Sequence, residues 1–395
     1  MPLRLNQHTK RNPCKMPELN IPKTSLYIHI PFCRKKCIYC DFYSVEYHED
    51  LANSYVDILA RQIGRTKSGI STIFIGGGTP TVLSEDLLEK LLRSLRRHCE
   101  KCEEFTIEAN PESINKEKLS LFLKYGINRI SIGAQSFDDD KLKKLGRLHS
   151  AEQSRQAVIL ARESGFKNIS VDLIYGVWGD RIDLWQRELE LAVKLPITHL
   201  SCYFLTYEKN TPLSRLVENK IVEPLDEQIA ADMYKFAVDY LPRYGFNQYE
   251  ISNFAKEGYS CRHNCNYWRN DSYLGLGPSA VSYADGIRKR NISSVEDYIK
   301  NIKIDKEPIV FREELPALEM AKETLALKIR TRAGVNCAWF REKTGFNALD
   351  IESEVLPKLE RDGLIEFKTQ EDKITDFFLT DKGFLFCDIV SSSFL

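Results

Sequence analysis

A chain of 395 residues is longer than one hydrophobic core usually organises, so a large domain with a smaller companion is expected. With 43% hydrophobic and 28% charged residues the composition is that of a globular protein and excludes extensive disorder. The 56 basic and 56 acidic side chains cancel, which excludes the electrostatic footprint of a protein whose main partner is nucleic acid or an anionic membrane surface.

Residues 1–22 read as a loose N-terminal extension. Arg4, Lys10, Arg11 and Lys15 stand there without an acid, a weak likeness to an organellar transit peptide, and Met16 is an alternative start. The segment has no apolar signal-peptide core, and no run in the chain nears the roughly 18 to 20 apolar residues that span a bilayer. A cytoplasmic protein, not integral to a membrane, is the simplest reading.

From residue 25 to 206 short β-branched runs alternate with longer amphipathic stretches: SLYIHI (25–30), TIFIGG (72–77), FTIEAN (105–110), RISIGAQ (129–135), NISVDLIYG (168–176) and HLSCYFLT (199–206). Between the second and third runs Leu87, Leu88, Leu91, Leu92 and Leu95 share one helical face. Repeated βα units imply a parallel sheet, hence an α/β fold built as a partial (β/α)6 TIM-like barrel over residues 23–307. Such barrels meet their ligands at the carboxyl ends of the strands. Cys33, Gly76 to Gly78, Glu108, Gln135 and Asp172 fall in or just beyond those runs.

After residue 207 the alternation fades, and residues 249–283 form an irregular, aromatic, glycine-containing segment. Residues 308–395 differ again. Helix-like runs at Pro316–Arg330 and Ala348–Asp362 precede GLIEF and ITDFFLT, the pattern of a small winged-helix-like domain. Its 12 basic and 16 acidic side chains repel phosphate, so no nucleic-acid partner is expected and the role is structural or docking.

Eleven cysteines without an export signal point to metal rather than to a disulfide framework. Cys33-x3-Cys37-x2-Cys40 places three thiolates on one short loop. They can hold a [4Fe-4S] cubane and leave one iron open to the amine and carboxylate of an amino acid. A zinc site completed by Cys14, His48 or Asp41 is the alternative, although zinc sites usually show paired short spacings.

Tyr27-Ile-His-Ile-Pro-Phe-Cys33 through Cys37-Ile-Tyr-Cys40, followed by Gly76-Gly-Gly-Thr79-Pro80, resembles the radical S-adenosylmethionine superfamily, in the branch of the oxygen-independent coproporphyrinogen oxidases and the related heme chaperones of the HemW group. The resemblance runs from about residue 24 to the C-terminus. It implies S-adenosylmethionine at the open iron, contacted by Tyr27, Gly77 and Glu108, with Tyr39 beside the adenine. Gly78, Thr79, Gln135, Arg147 and Asp172 match positions that surround a second S-adenosylmethionine in the oxidases; for Arg147 a solvated helix charge is the alternative. The chain departs from the family at Val281, where a histidine is common, and at Gly176-Val-Trp178-Gly179-Asp180, where a GLPGQ-like turn is usual.

The oxidases carry a fourth cysteine two positions after the third, whereas here Cys40 is followed by Asp41 and Phe42, the pattern of the HemW group. Cys261-Arg-His263-Asn264-Cys265-Asn266-Tyr267-Trp268 resembles the HNxxYW motif associated with heme in that group. The likeness implies heme as cargo, with His263 as axial ligand and Tyr267 and Trp268 covering the porphyrin. The expectation is a heme chaperone that passes heme to an acceptor protein the sequence does not identify, with a homodimer among its states and no catalytic side chain assigned. The alternative is radical decarboxylation of the propionates of coproporphyrinogen III.

Overall fold

A computed structural model describes residues 24–66, 69–99 and 102–395, so the basic extension, with Met16 and Cys14, lies outside the described residues. Six strands, β1 (Thr24–Ile30), β2 (Ile70–Gly77), β3 (Glu104–Ala109), β4 (Arg129–Gln135), β5 (Asn168–Tyr175) and β6 (His199–Phe204), lie parallel in chain order. Side chains alternate across a strand. One face carries Leu26, Ile28, Ile73, Ile75, Phe105, Ile107, Ile130, Ile132, Val171 and Leu200, all buried beneath the outer helices. The helix Glu85–Cys99 supplies its five leucines to that layer, as its spacing predicts. The other face carries Ser25, Tyr27, Thr72, Glu104, Thr106, Glu108, Arg129, Ser131, Asp172, His199, Ser201 and Tyr203, so the barrel interior is polar.

The barrel is open. β6 pairs antiparallel with Asn253–Ala255 instead of returning to β1, and β1 pairs parallel with Tyr273–Leu276. The sheet then continues antiparallel through Val281–Ala284, Ile287–Asn291 and Ile309–Glu314. The segment expected to be irregular therefore holds sheet strands and, between them, the helix Arg262–Trp268, which fills the base of the barrel. Ile309–Glu314 pairs with Ile287–Asn291, so a domain boundary at 307/308 would cut a hairpin. The first helix of the smaller unit is Ala317–Lys328. The unit continues through helices Cys337–Thr344 and Val355–Arg361 to a three-stranded sheet of Val335–Asn336, Lys373–Leu379 and Ile365–Gln370, a winged-helix-like order. The run expected as one helix from Ala348 breaks at Glu352, which leaves helical geometry. Among the described residues no helix is long and apolar enough to cross a membrane.

A buried ion triad secures the loops after β4 and β5. Lys141 Nζ lies 2.8 Å from Glu188 and 2.9 Å from Asp180, with all three side chains at most 6% exposed. Glu188 also accepts from Ser136 and from the Phe137 amide (2.8 Å), just beyond Gln135. Asp180 accepts the amides of Gly176 (3.2 Å) and Val177 (3.3 Å), just beyond β5. The departure from a GLPGQ-like turn thus has a physical partner, because Asp180 is the counter-ion of Lys141.

Candidate cofactor site

The three cysteines lie on the loop after β1. Phe32–Cys33 pairs with Val45–Glu46, and the Cys40 amide donates to the Cys37 carbonyl (3.3 Å). Burial pushes the Cys33 and Cys40 thiols up, Cys40 to about 11, and each also senses charge on Cys37, so the three are neighbours in one half-buried nest. Among the described residues no three Cys, His, Asp or Glu side chains converge on a point that one ion can occupy.

The glycine run walls this nest. A Cβ on Gly78 would meet the Phe32 carbonyl at 2.7 Å and Cys33 Sγ at 3.0 Å, so any side chain there displaces the cysteine loop. Gly77 has φ +112° and its amide donates to Glu108 Oε2 at 3.0 Å. The Tyr43 carbonyl, 2.9 Å from His29 Nε2, can only accept, so Nε2 carries the proton and Nδ1 accepts from the Tyr27 hydroxyl (3.1 Å). Tyr27, Gly77 and Glu108 therefore meet in one layer at the top of the barrel.

Burial, followed by the charge of Asp172, pushes the Glu108 carboxyl up to about 8. A cationic ligand group is the natural partner for such a carboxylate. Below pH 4.5 the group is neutral in folded and unfolded chains alike. As pH rises from there to about 8 the unfolded chain ionises first, so ligand-free stability is expected to fall across that window and level off above it. Glu108→Gln should flatten this slope, by up to about 1.4 kcal/mol for each pH unit of the window, in urea melts from pH 5 to 9. An unchanged slope would show that Glu108 is not its source.

The remaining expected residues gather beside this layer. Asp172 accepts from Ser201 (2.6 Å) and Ser131 (3.2 Å). Gln135 ends β4 with φ 63°, a left-handed backbone unusual for a side-chain-bearing residue. Arg147 is not a solvated helix charge: it donates to Cys37 Sγ (3.4 Å), to Asn110 Oδ1 (2.8 Å) and to the Gly133 carbonyl (2.9 Å). Thr79 Oγ1 stands 3.6 Å from Cys33 Sγ. Tyr39 packs with Leu145, Ile174 and Val177 beside Arg147. Asn110 and Tyr203 also line the site without having been expected. Their signal was available, since both are polar groups in or just beyond a strand whose alternate residues are apolar.

The expected heme residues lie elsewhere. His263 is 1% exposed, at the opposite end of β2 from the glycines, five residues or about 16 Å away. Its Nδ1 pairs with Thr72 Oγ1 (2.8 Å) and its Nε2 with the Tyr267 hydroxyl (2.9 Å). Burial and the Arg129 charge push its pKa down to about 3. Glu104, unexpected from sequence, accepts the amides of Arg262 (2.9 Å) and His263 (3.0 Å) and holds the helix in the base. Trp268 stacks under Arg330 of the C-terminal unit. In this arrangement both ring nitrogens of His263 are hydrogen-bonded, one to Thr72 and the other to Tyr267.

Residues 27–192 match the Radical SAM superfamily. The chain is 36% identical over 379 residues to a protein of Bacillus subtilis named heme chaperone HemW, covering 94% of this chain and 99% of that one. It is 33% identical to the heme chaperone HemW of Lactococcus lactis, covering 94% and 97%. Among solved structures, coproporphyrinogen III oxidase (HemN) from Escherichia coli superposes with a TM-score of 0.80 at 21% identity, covering 95% of this chain and 90% of that one, a likeness of fold.

Proposed function

The chain belongs to the HemW family within the radical SAM superfamily, and on that premise we propose that it is a heme chaperone: it binds S-adenosylmethionine beside a [4Fe-4S] cluster on Cys33, Cys37 and Cys40, and carries heme to an acceptor protein. The observation that carries this reading is the meeting of the three thiols, the glycine wall and Glu108 at one end of the barrel, with Phe42, 63% exposed, where the oxidases have a fourth cysteine. Such a cluster supplies one electron and an open coordination position when bound. The chain's own part is positional. Gly77 and Gly78 admit the methionine moiety, Glu108 faces its cationic groups, and Arg147 and Tyr39 lie on the Cys37 side.

Heme is cargo in this reading, and His263 is its proposed ligand only after rearrangement. A neutral imidazole has one donor and one acceptor, and both are spent on Thr72 and Tyr267. Ligation requires Tyr267 to turn away and the Arg262–Trp268 helix to leave the barrel base.

The test is heme titration of the anaerobically reconstituted protein. One heme per chain is expected, with His263→Ala weakening binding tenfold or more. Unchanged affinity and spectrum in that variant would remove His263 from the account. Protoporphyrinogen formed from coproporphyrinogen III with dithionite and S-adenosylmethionine would replace the chaperone by an oxidase.

A further inference from the structure

We infer that Asn110 is a positioning residue that aims two hydrogen-bond donors, Thr79 and Arg147, at two different cluster sulfurs and so sets the reduction potential of the cluster; this rests on the cluster reading above. The argument follows from which atoms can donate. The Arg147 guanidinium has donors only, so the Asn110 atom 2.8 Å from it is the carbonyl oxygen. The Asn110 amide nitrogen is thereby turned to Thr79 Oγ1, 3.1 Å away, and donates there. Thr79 receives that bond on its oxygen, and its proton is left to point at Cys33 Sγ, 3.6 Å away. At the other end Arg147 Nη1 donates to Cys37 Sγ at 3.4 Å. A cluster thiolate accepts and cannot donate, so both contacts run toward sulfur.

The result is one continuous relay, Cys33–Thr79–Asn110–Arg147–Cys37, joining the loops after β1, β2 and β3 to the segment after the helix Asp139–Leu145. Its orientation is held from outside. The Asn110 amide nitrogen also lies 3.3 Å from Glu112, whose other oxygen is 3.1 Å from the buried His149. Arg147 is fixed by the Gly133 carbonyl, and the Thr79 amide by the Phe32 carbonyl (2.8 Å). Donors to cluster sulfur stabilise the more negative, reduced state and raise the potential. Cys40 lies outside this relay, its own donor being the Phe42 backbone, so the effect is confined to two corners of the cluster.

The experiment is an EPR-monitored redox titration of reconstituted full-length protein without S-adenosylmethionine. Iron and sulfide are measured first, so that absence of a cluster in the unaltered protein counts against the cluster reading and not against this one. Thr79→Val and Arg147→Gln should each lower the potential, by about 59 mV for a tenfold change in a one-electron equilibrium. Thr79→Ser, which restores the hydroxyl, should return it. In an Asn110→Ala background the Thr79→Val shift should shrink, because the donor is no longer aimed. Should Asn110→Ala fail to hold the cluster, the Thr79→Val and Thr79→Ser pair decides alone. Equal potentials in unaltered, Thr79→Val and Arg147→Gln proteins overturn the inference.

Discussion

Replacing Lys141 with methionine is expected to cost about 3–5 kcal/mol, because it strands two buried carboxylates without their cation. Glu188 and Asp180 keep only neutral donors in the variant: Ser136 and the Phe137 amide for the first, the Gly176 and Val177 amides for the second. The Lys141 ammonium is itself held well charged, since the two carboxylates outweigh the effect of burial. Urea denaturation at pH 7 measures the loss. The effect should reach the cofactor layer, because the two clamped loops follow Gln135 and the strand of Asp172. S-adenosylmethionine affinity is therefore expected to fall along with stability. The double variant Lys141→Met, Glu188→Gln should recover part of the loss by removing one stranded charge. A single variant within 1 kcal/mol of the unaltered protein would mean the triad does not secure these loops.

Glu104→Gln is expected to tighten heme binding while weakening the closed form. In the closed form the Glu104 carboxylate accepts two helix amides, is the acceptor for the Cys261 thiol at 3.4 Å, and offsets the charge of buried Arg129. Glutamine keeps the size and loses the charge, which is worth about 1.5–3 kcal/mol in such hydrogen bonds. If His263 binds heme only when the helix is out, apparent affinity scales with the open fraction. Each 1.4 kcal/mol that favours opening then tightens heme about tenfold, until the open form dominates. Hydrogen exchange across residues 261–268 reports the opening independently. Faster exchange with unchanged heme affinity would separate the helix from heme binding and contradict the proposed route.

The six barrel strands were legible because their outward residues, such as Ile73, Ile75, Ile130 and Ile132, form β-branched runs. What the runs concealed was the alternation inside them. Glu108 and Asp172 read as isolated charges in apolar strands, whereas Glu104, Thr106, Arg129, Ser131, Ser170, His199 and Ser201 share their face and make the interior largely polar. Outer strands such as Ile287–Asn291 and Ile309–Glu314 escaped because IRKRN and IVFREE are short and half exposed, and carry neither a period-2 apolar face nor a helical stripe. The hairpin they form was hidden for that reason. In the site, cysteine spacing and the glycine run are local signals and stood out. Thr79, Asn110 and Arg147 act through contacts 31 to 110 residues apart in sequence, and no spacing rule expresses such contacts. The heme motif shows the opposite case: its residues were legible, but their burial was not, because a histidine, a tyrosine and a tryptophan at helical spacing suit a core and a ligand site equally.

The most direct test of the account is the metal content and EPR spectrum of the anaerobically reconstituted protein, reduced with dithionite, with and without S-adenosylmethionine. Roughly four irons and four sulfides per chain are expected, with loss of the cluster in Cys37→Ala and a reduced-cluster signal that shifts when S-adenosylmethionine occupies the open iron. Stoichiometric zinc, or a cluster whose spectrum ignores S-adenosylmethionine, would contradict it.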